Sequence, residues 1–367
     1  MRGPASPHIL RGVGFCRFVL QSESIHMADI KRSNGHRLEG VLPVAQPQIP
    51  GPRPTEGDVA FDLEAGVSAV RSLRSRVPAD ARTARTLGTE REGNAVLIDE
   101  SGLLLTIGYL ISEATDVSIG GPDGRAIAAQ VAAYDHATGF GLVRTVEPLD
   151  IPPLKVSNAA DIPAGGDSVV IASAGGVASS ILGKVAERRV FAGSWEYMID
   201  SAIFTQPLHP RWSGAALIDP KSGTLVGIGS LFVQEVGGSG DDELPGNMFV
   251  PASLLGPIYE EMIRTGRAAS KARPWIGMHT AEALGHLVIS DVVEGGPADQ
   301  AGVETGDIIR GVGGNSVETL VEMYRGMWSV GGPGSDLSLA IIRGSSVLEI
   351  VVHSADRQDF LSRPPRH

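Results

Sequence analysis

The sequence contains a single cysteine, Cys16, in 367 residues, so no disulfide can form within the chain. Cysteine-based metal sites are not indicated either, and we expect no metal and no cofactor. Long apolar runs are also missing: no stretch reaches 18 residues, so no transmembrane helix is predicted. Basic residues are too few to balance the acidic ones, and the net charge is -11 at pH 7. An acidic surface excludes nucleic acid and anionic lipid as main partners, because both require a basic one.

The amino-terminal residues do not form a clear secretory leader. They include basic residues and an apolar patch, but Arg11 and Arg17 bracket a run of only five residues. That run is too short for the apolar core of a leader, so the residues favour a cytoplasmic location. Met27 is an alternative initiator to Met1, and the sequence leaves the choice open.

Glycine and proline are abundant, with 47 and 24 residues that together make about a fifth of the chain. This favours many short strands joined by tight turns, and therefore a mainly β fold. With 42% apolar residues, the chain is long enough for two or three domains with substantial cores.

Composition shifts divide the chain into five parts. Residues 1–55 end within the Pro-rich stretch "PVAQPQIPGPRPTEGD" and are expected to form a flexible arm. Residues 56–266 begin with a helical pattern, "AFDLEAGVSAVRSLRS", continue as short strands such as "NAVLI" and "LLLTI", and close with a helix ending at Gly266. Residues 267–274 form a basic linker, 275–355 a second module, and 356–367 a C-terminal tail.

The second module resembles the PDZ domains attached to bacterial HtrA/Deg proteases. Its run "GGPADQAGVETGDIIRGVGG" has the Pro-Ala, Ala-Gly and Gly-Asp pairs of that family in order. Pro297 is predicted to open a short helix ending at Gly302, and Gly306-Asp307 to turn the chain into a buried strand. The resemblance implies a module that binds the C-termini of peptides or unfolded proteins.

In PDZ domains, successive backbone N–H groups of one loop receive the terminal carboxylate of a peptide, whose backbone adds as a strand beside a helix. The segment "WIGM" stands at this loop, and a helix over 319–329 would line the groove. Two alternatives stay open: the apolar stripe of that helix is core instead, or Trp275 packs against the linker. The candidate peptide-binding residues are Trp275, Ile276, Gly277, Met278, Leu320, Tyr324 and Met327.

The first module resembles the trypsin-like protease domain of the same HtrA/Deg family, a pair of six-stranded β-barrels. The matching segments are "NAVLIDESGLLLTIGYLI", "AAYDHATGFGLVRTV", "HPRWSGAALIDPKSGTLVGIGSLF" and "GNMFVPASLL". The resemblance covers roughly 90–355. It therefore implies a mainly β chain with a trypsin-like double barrel followed by a PDZ domain. It also implies a periplasmic location, whereas the missing leader favours the cytoplasm, and the sequence leaves the two open.

The catalytic residues of the family carry over only in part. Ser213 stands in the nucleophile slot and is followed by Gly214. Tyr109 stands where the family has its catalytic histidine, and Gly139 where it has its aspartate. Arg211 and Ser213 occupy the positions whose amides form the oxyanion site.

Without a base, a serine hydroxyl is a poor nucleophile, and a tyrosine of ordinary pKa about 10 is a weak proton acceptor at neutral pH. We therefore expect an inactive protease homologue that acts through its PDZ domain, in protein quality control. The alternative is an active serine endopeptidase with a non-standard base, for which His209 is the candidate. His209 as a surface residue and Ser213 as a turn residue are the simpler interpretations. The family also implies a homo-oligomer, a trimer.

Overall fold

The computed structural model describes residues 49–158, 162–237 and 244–361. Residues 1–48, which make up most of the expected flexible arm, lie outside this part of the chain. Residues 362–367 of the expected tail lie outside it as well.

The first unit is a closed six-stranded antiparallel barrel with the strand order β1-β2-β3-β6-β5-β4. Glycines at the hairpin turns allow tight reversals between strands, and all five residues of β3, "LLLTI", are buried. Because the sheet closes on itself, it has no open edge. Its strands are β1 (Val70–Arg76), β2 (Glu90–Asp99), β3 (Leu103–Ile107), β4 (Asp116–Gly120), β5 (Ala126–Tyr134) and β6 (Phe140–Thr145).

The second unit is another closed antiparallel barrel, in the order β10-β11-β12-β9-β8-β7. Both faces of this sheet are buried: Phe204 belongs to the large cluster that also contains side chains of the first barrel, and Phe249 to a separate cluster of second-barrel residues. The strands are β7 (Ser168–Ala172), β8 (Ser180–Gly193), β9 (Tyr197–Gln206), β10 (Ala216–Ile218), β11 (Leu225–Val236) and β12 (Leu244–Pro251).

The third unit is a sheet in the order β13-β14-β15-β17-β18, with β16 paired to β15. In β17 the buried residues are Leu337, Leu339 and Ile341, and this alternation turns one face of the strand inward. The strands are β13 (Met278–Ala283), β14 (His286–Val292), β15 (Ile308–Val312), β16 (Asn315–Ser316), β17 (Asp336–Arg343) and β18 (Ser346–His353). The expected mainly β class, with two barrels and a smaller module, is confirmed.

In the described residues, six short α-helices accompany the strands: α1 (Leu63–Ser68), α2 (Ala84–Leu87), α3 (Tyr259–Thr265), α4 (Pro297–Gln300), α5 (Leu320–Ser329) and α6 (Arg357–Phe360). The prediction that α3 ends at Gly266 is confirmed, because Gly266 has a φ of 81° and donates its N–H to Met262. The helical pattern at 60–75 is only half correct. Its second half is β1, since strand pairing that closes the barrel overrides local helical spacing.

Parts of the expected arm and tail are packed against the barrels. Leu182 donates its backbone N–H to Pro52, and the Arg53 guanidinium donates to the carbonyl of Ser180. At the other end, the ring of Phe360 lies 4.8 Å from that of Trp275. Residues 49–55 and 356–361 are therefore ordered by tertiary contacts that composition alone does not reveal.

No helix in the part of the chain described here is long and apolar enough to cross a membrane. Within the same residues, no cluster of three or more His, Cys, Asp or Glu side chains is arranged to hold a metal ion.

The ion pair between Asp307 and Arg343, at the turn that leads into β15, can be tested by mutation. The Asp307 side chain is 1% exposed and forms two charge-assisted bonds of 2.7 Å with Arg343, whereas Glu304, on the same arginine, is 65% exposed. We expect Asp307→Asn to lower the free energy of unfolding by about 2 kcal/mol, because it removes the buried charge that accepts two hydrogen bonds from Arg343 and leaves only the exposed Glu304 as a charged partner. Glu304→Gln should cost less than about 0.5 kcal/mol. Urea unfolding checks both, and equal midpoints for the two variants would contradict the assignment.

Candidate functional site

The loop that carries Ser213 is fixed by a buried asparagine on the first barrel. Asn94, on β2, donates its side-chain amide to the carbonyls of Arg211 at 3.0 Å and of Ser213 at 2.9 Å. Its side-chain oxygen accepts from the backbone of Ala174 at 2.9 Å. Because both the nitrogen and the oxygen of this buried amide are hydrogen-bonded, its orientation is fixed. The loop is therefore held in place at the junction of the two barrels.

The glycine after Ser213 is required by this close approach. Gly214 has a φ of 71°, in the left-handed region that favours glycine. A Cβ atom there would lie 1.9 Å from the carbonyl oxygen of Asn94. The Ser-Gly pair read from the sequence therefore corresponds to a backbone contact between the barrels.

The hydroxyl of Tyr109 lies 2.7 Å from Ser213 Oγ, so the structure brings together two of the predicted site residues. The same hydroxyl donates to the carbonyl of Ser230 at 2.9 Å. A phenol carries one proton and a carbonyl can only accept, so Ser213 is the donor in its contact with Tyr109.

Burial governs the acidity of the phenol. It raises the pKa of Tyr109 above its ordinary value, and the hydrogen bond from Ser213 offsets this only in part. The phenol is therefore neutral at physiological pH, and its oxygen is a poor base. Ser213 itself is only 8% exposed.

Gly139 lies beside this pair and offers no carboxylate. Its carbonyl accepts from the backbone N–H of Gly108 at 2.7 Å, one residue before Tyr109. Its φ is 78°, and a Cβ atom would lie 3.1 Å from the Tyr197 hydroxyl, which donates to the carbonyl of Thr138. The slot of the orienting acid is thus closed by backbone conformation and by a neighbouring tyrosine.

His209 does not face Ser213, so its assignment as a possible rescue base is wrong. Its Nδ1 accepts from the backbone N–H of Arg211 at 3.1 Å, and its Nε2 therefore carries the proton and donates to the carbonyl of Ser179 at 3.0 Å. The residue is 0% exposed, so the surface interpretation is wrong too. Burial lowers the pKa of His209 to about 4.

The same contact corrects the oxyanion assignment of Arg211. Its backbone N–H is used by the His209 ring, and its guanidinium donates to the carbonyl of Ala174 and to Ser179 Oγ. An amide pointed at a ring nitrogen cannot also point at a developing oxyanion. Sequence reasoning missed this, because chain spacing does not show where an amide points.

The loop Ile276–Met278 does bind a carboxylate, and the carboxylate comes from the same chain. The Glu196 side chain, in the turn between β8 and β9, accepts from the backbone N–H groups of Ile276 at 3.0 Å, Gly277 at 2.7 Å and Met278 at 2.9 Å. Burial raises the pKa of Glu196 to about 7, against these three hydrogen bonds and the nearby Arg357. Sequence reasoning did not find Glu196.

The helix predicted over 319–329 is present as α5, with Thr319 as its N-cap, and its role beside a peptide groove stays a prediction. Leu320, Tyr324 and Met327 are all buried. Of these, Tyr324 contacts the β8–β9 turn, since its hydroxyl donates to the carbonyl of Gly193 at 2.6 Å and accepts from Glu196 N–H at 3.1 Å.

Trp275 is not a groove residue. Its backbone exchanges two hydrogen bonds with Ala355, and its ring packs against Phe360. The residue is 6% exposed. Its assignment to peptide binding is therefore wrong, because these contacts hold it against the C-terminal segment.

Comparison with known families matches two parts of the chain. A trypsin-like peptidase domain model matches residues 93–228, and a PDZ domain model matches residues 274–353. Among curated proteins, the serine endoprotease DegS of Salmonella typhimurium is 23% identical over 342 residues, 88% of this chain and 89% of its own. A DegP-like periplasmic serine endoprotease of Chlamydia pneumoniae is 22% identical over 287 residues, 74% of this chain and 56% of its own.

The chain spans about half the length of the DegP-like relatives from Chlamydia. Among solved structures, a variant of the HtrA-type protease AlgW with a tripeptide aligns with a TM-score of 0.50 at 20% identity. The alignment covers 83% of this chain and 99% of that one. This likeness confirms the fold.

The buried His209 predicts a pH dependence of stability. Its pKa lies at about 4 in the fold and at 6.5 as its ordinary value, so the unfolded state binds more protons between these limits. Its contribution is complete above pH 6.5 and is lost as pH falls toward 4, by about 3 kcal/mol at most. We expect thermal unfolding of His209→Gln to depend less steeply on pH over this window.

The exposed His353, 74% exposed, provides the matched control His353→Gln, which removes a histidine from the surface and leaves the buried ring of His209 in place. His136 remains in all three proteins, and burial lowers its pKa as well, so the slope should shrink without vanishing. Identical slopes for wild type and His209→Gln would contradict a neutral, buried His209.

Proposed function

Because the chain belongs to the HtrA/Deg family, with a trypsin-like peptidase domain followed by a PDZ domain, we propose that it is a non-hydrolytic member that binds the carboxyl-terminal ends of peptides or unfolded segments. The observation that carries the proposal is the hydrogen bond at Ser213. The nucleophile slot is occupied by a hydroxyl that donates its proton to a neutral phenol, Tyr109. Hydrolysis of an amide requires that proton to leave to a base.

Two further features support the non-hydrolytic part. Gly139 supplies no acid to orient a base, and the amide of Arg211 is bound by the ring of His209. Losing one oxyanion donor costs about a hundredfold or more in rate, and losing the base costs more. Effects of this size place turnover near the uncatalysed background.

The alternative of an active endopeptidase with a non-standard base finds less support. His209 faces Ser179 and Arg211, so it cannot reach Ser213 without rearrangement of the loop. The Tyr109 hydroxyl is within reach, but burial raises its pKa, which disfavours the phenolate that a base would require.

The peptide-binding part rests on the loop Ile276–Met278. Its three successive backbone N–H groups converge on one carboxylate, the arrangement by which a terminal carboxylate is recognised. Exposed C-termini are abundant on unfolded and cleaved chains, which fits a role in protein quality control. The trimer implied by the family stays a prediction.

The non-hydrolytic proposal is tested by labelling the full-length protein with a fluorophosphonate probe and by incubation with casein. We expect no label and no cleavage above the background of Ser213→Ala, because an unactivated hydroxyl does not attack either reagent. An active relative from the same family is the positive control. Labelling of the wild type that disappears in Ser213→Ala would refute the proposal.

A restoration experiment separates the loss of the base from the loss of the surrounding geometry. We expect the double variant Tyr109→His, Gly139→Asp to remain unlabelled, since Gly139 has a φ of 78° and Arg211 N–H still points at His209. Tyr109→Phe controls for removal of the hydroxyl alone. Efficient labelling of the double variant would mean that the oxyanion site is intact, against the geometry described above.

A further inference from the structure

The β8–β9 turn fills the carboxylate-binding loop of the third unit with a side chain from the barrel. Glu196 places both carboxylate oxygens on this loop, with Oε2 bound by Ile276 and Oε1 shared by Gly277 and Met278. The residue is 8% exposed, so solvent does not compete for these hydrogen bonds. Charge-assisted bonds of this kind are about twice as strong as neutral ones.

The backbone of the turn also forms a hydrogen bond with β13, as the backbone of a bound peptide would. The carbonyl of Ser194, two residues before Glu196, accepts from the N–H of Thr280 on β13 at 2.9 Å. A spacing of two residues is the period with which an added strand presents equivalent groups to a sheet edge. The turn therefore combines a bound carboxylate with one strand-addition hydrogen bond.

An apolar side chain accompanies the carboxylate. Met198, on β9, is 3% exposed and belongs to the same buried cluster as Ile276 and Met278. The Tyr324 hydroxyl of α5 joins the two sides of the turn through Gly193 and Glu196. Carboxylate, strand-like backbone and apolar side chain are the three groups that the end of a peptide would present.

The turn adopts this position at a conformational cost. Glu196 has a φ of 55°, a left-handed conformation that is unfavourable for a residue other than glycine. Such a conformation persists when the surrounding contacts determine it, here the hydrogen bonds to the loop. The strain would be relieved if the turn left the groove.

We propose that the turn 193–197 is an internal ligand of the PDZ groove, which a peptide with a free C-terminal carboxylate and an apolar last residue must displace. This inference rests on the proposed function, because it specifies how the same groove is regulated. The apparent affinity for a peptide is the intrinsic affinity multiplied by the fraction of molecules with an empty groove. Removing the Glu196 carboxylate raises that fraction.

The test compares peptide binding by four full-length proteins: wild type, Glu196→Ala, Glu196→Gln and Asp200→Asn. Asp200 is the matched control, since its carboxylate lies on β9, four residues after Glu196, but is 69% exposed and pairs with Arg325 of α5. The probes are fluorescein-labelled Gly-Ser-Gly-Ser-Trp-Xaa peptides, where Xaa is Met, Val or Phe, each as the free acid and as the carboxamide. They copy the order of Ser194 and Trp195 and end in an apolar residue, as Met198 suggests.

We expect both Glu196 variants to bind the free acids at least about tenfold more tightly than wild type, because hydrogen bonds to a charged group are among the strongest in proteins. Asp200→Asn should bind as wild type does, and the carboxamides should bind weakly to all four. Hydrogen exchange at residues 275–281 is the second measurement, and it does not depend on the peptide. The amides of Ile276, Gly277 and Met278 should be protected in wild type and exchange faster in both Glu196 variants.

Equal affinity of wild type and the Glu196 variants for the free acids would overturn the inference and leave the proposed function standing. Equal exchange at residues 275–281 in wild type and the variants would overturn it as well. Absence of binding by all four proteins would instead refute the peptide-binding part of the proposed function, and the inference with it. Thermal unfolding of each variant identifies a misfolded one, in which case Tyr324→Phe, which removes the hydroxyl that joins the turn to α5, replaces it.

Discussion

Hydrogen donation runs in one direction at the junction of the two barrels, from Ser213 to Tyr109 and from Tyr109 to the carbonyl of Ser230. The last acceptor in this series of hydrogen bonds is a backbone carbonyl, which can accept a hydrogen bond but cannot pass a proton on. Asn94 holds the backbone of the loop through the carbonyls of Arg211 and Ser213, so the Ser213 hydroxyl can reach another partner only by a side-chain rotation that breaks its bond to Tyr109. The chemistry of the site therefore follows from the position of one phenol.

The two sites have one property in common: backbone N–H groups that could bind a ligand are hydrogen-bonded to side chains of the same chain. The amide of Arg211 is bound by the His209 ring, and the loop amides of Ile276, Gly277 and Met278 are bound by Glu196. Unpaired buried N–H groups are costly, so pairing them within the chain stabilises the fold while no ligand occupies them. The two barrels and the PDZ sheet are coupled through the second of these contacts.

The sequence predicts elements whose signals are local. The barrel hairpins, the helix α5 and the glycine end of α3 follow from turn residues and apolar spacing. Tyr109 and Ser213 could be placed in one site because the resemblance supplies the order of the slots, and their 2.7 Å contact agrees.

Long-range contacts could not be predicted in this way. Glu196 lies 80 residues from its first partner, Ile276, in a segment without a motif, and the direction of an amide such as that of Arg211 has no sequence signature. The strand β1 was obscured for a related reason. Its residues pair with β2 and β4, and that pairing outweighs the helical spacing of its side chains.

The turn that carries Glu196 is covalently part of the chain, so it meets the groove at an effective concentration set by geometry instead of by supply. Short tethers produce values of roughly millimolar order. A freely diffusing peptide at micromolar concentration is far less concentrated at the groove than this tethered turn. Many chain ends on one aggregate have a high local concentration, which brings them to a level comparable with that of the turn. Under the proposed function, the groove would therefore bind clustered chain ends in preference to solitary ones.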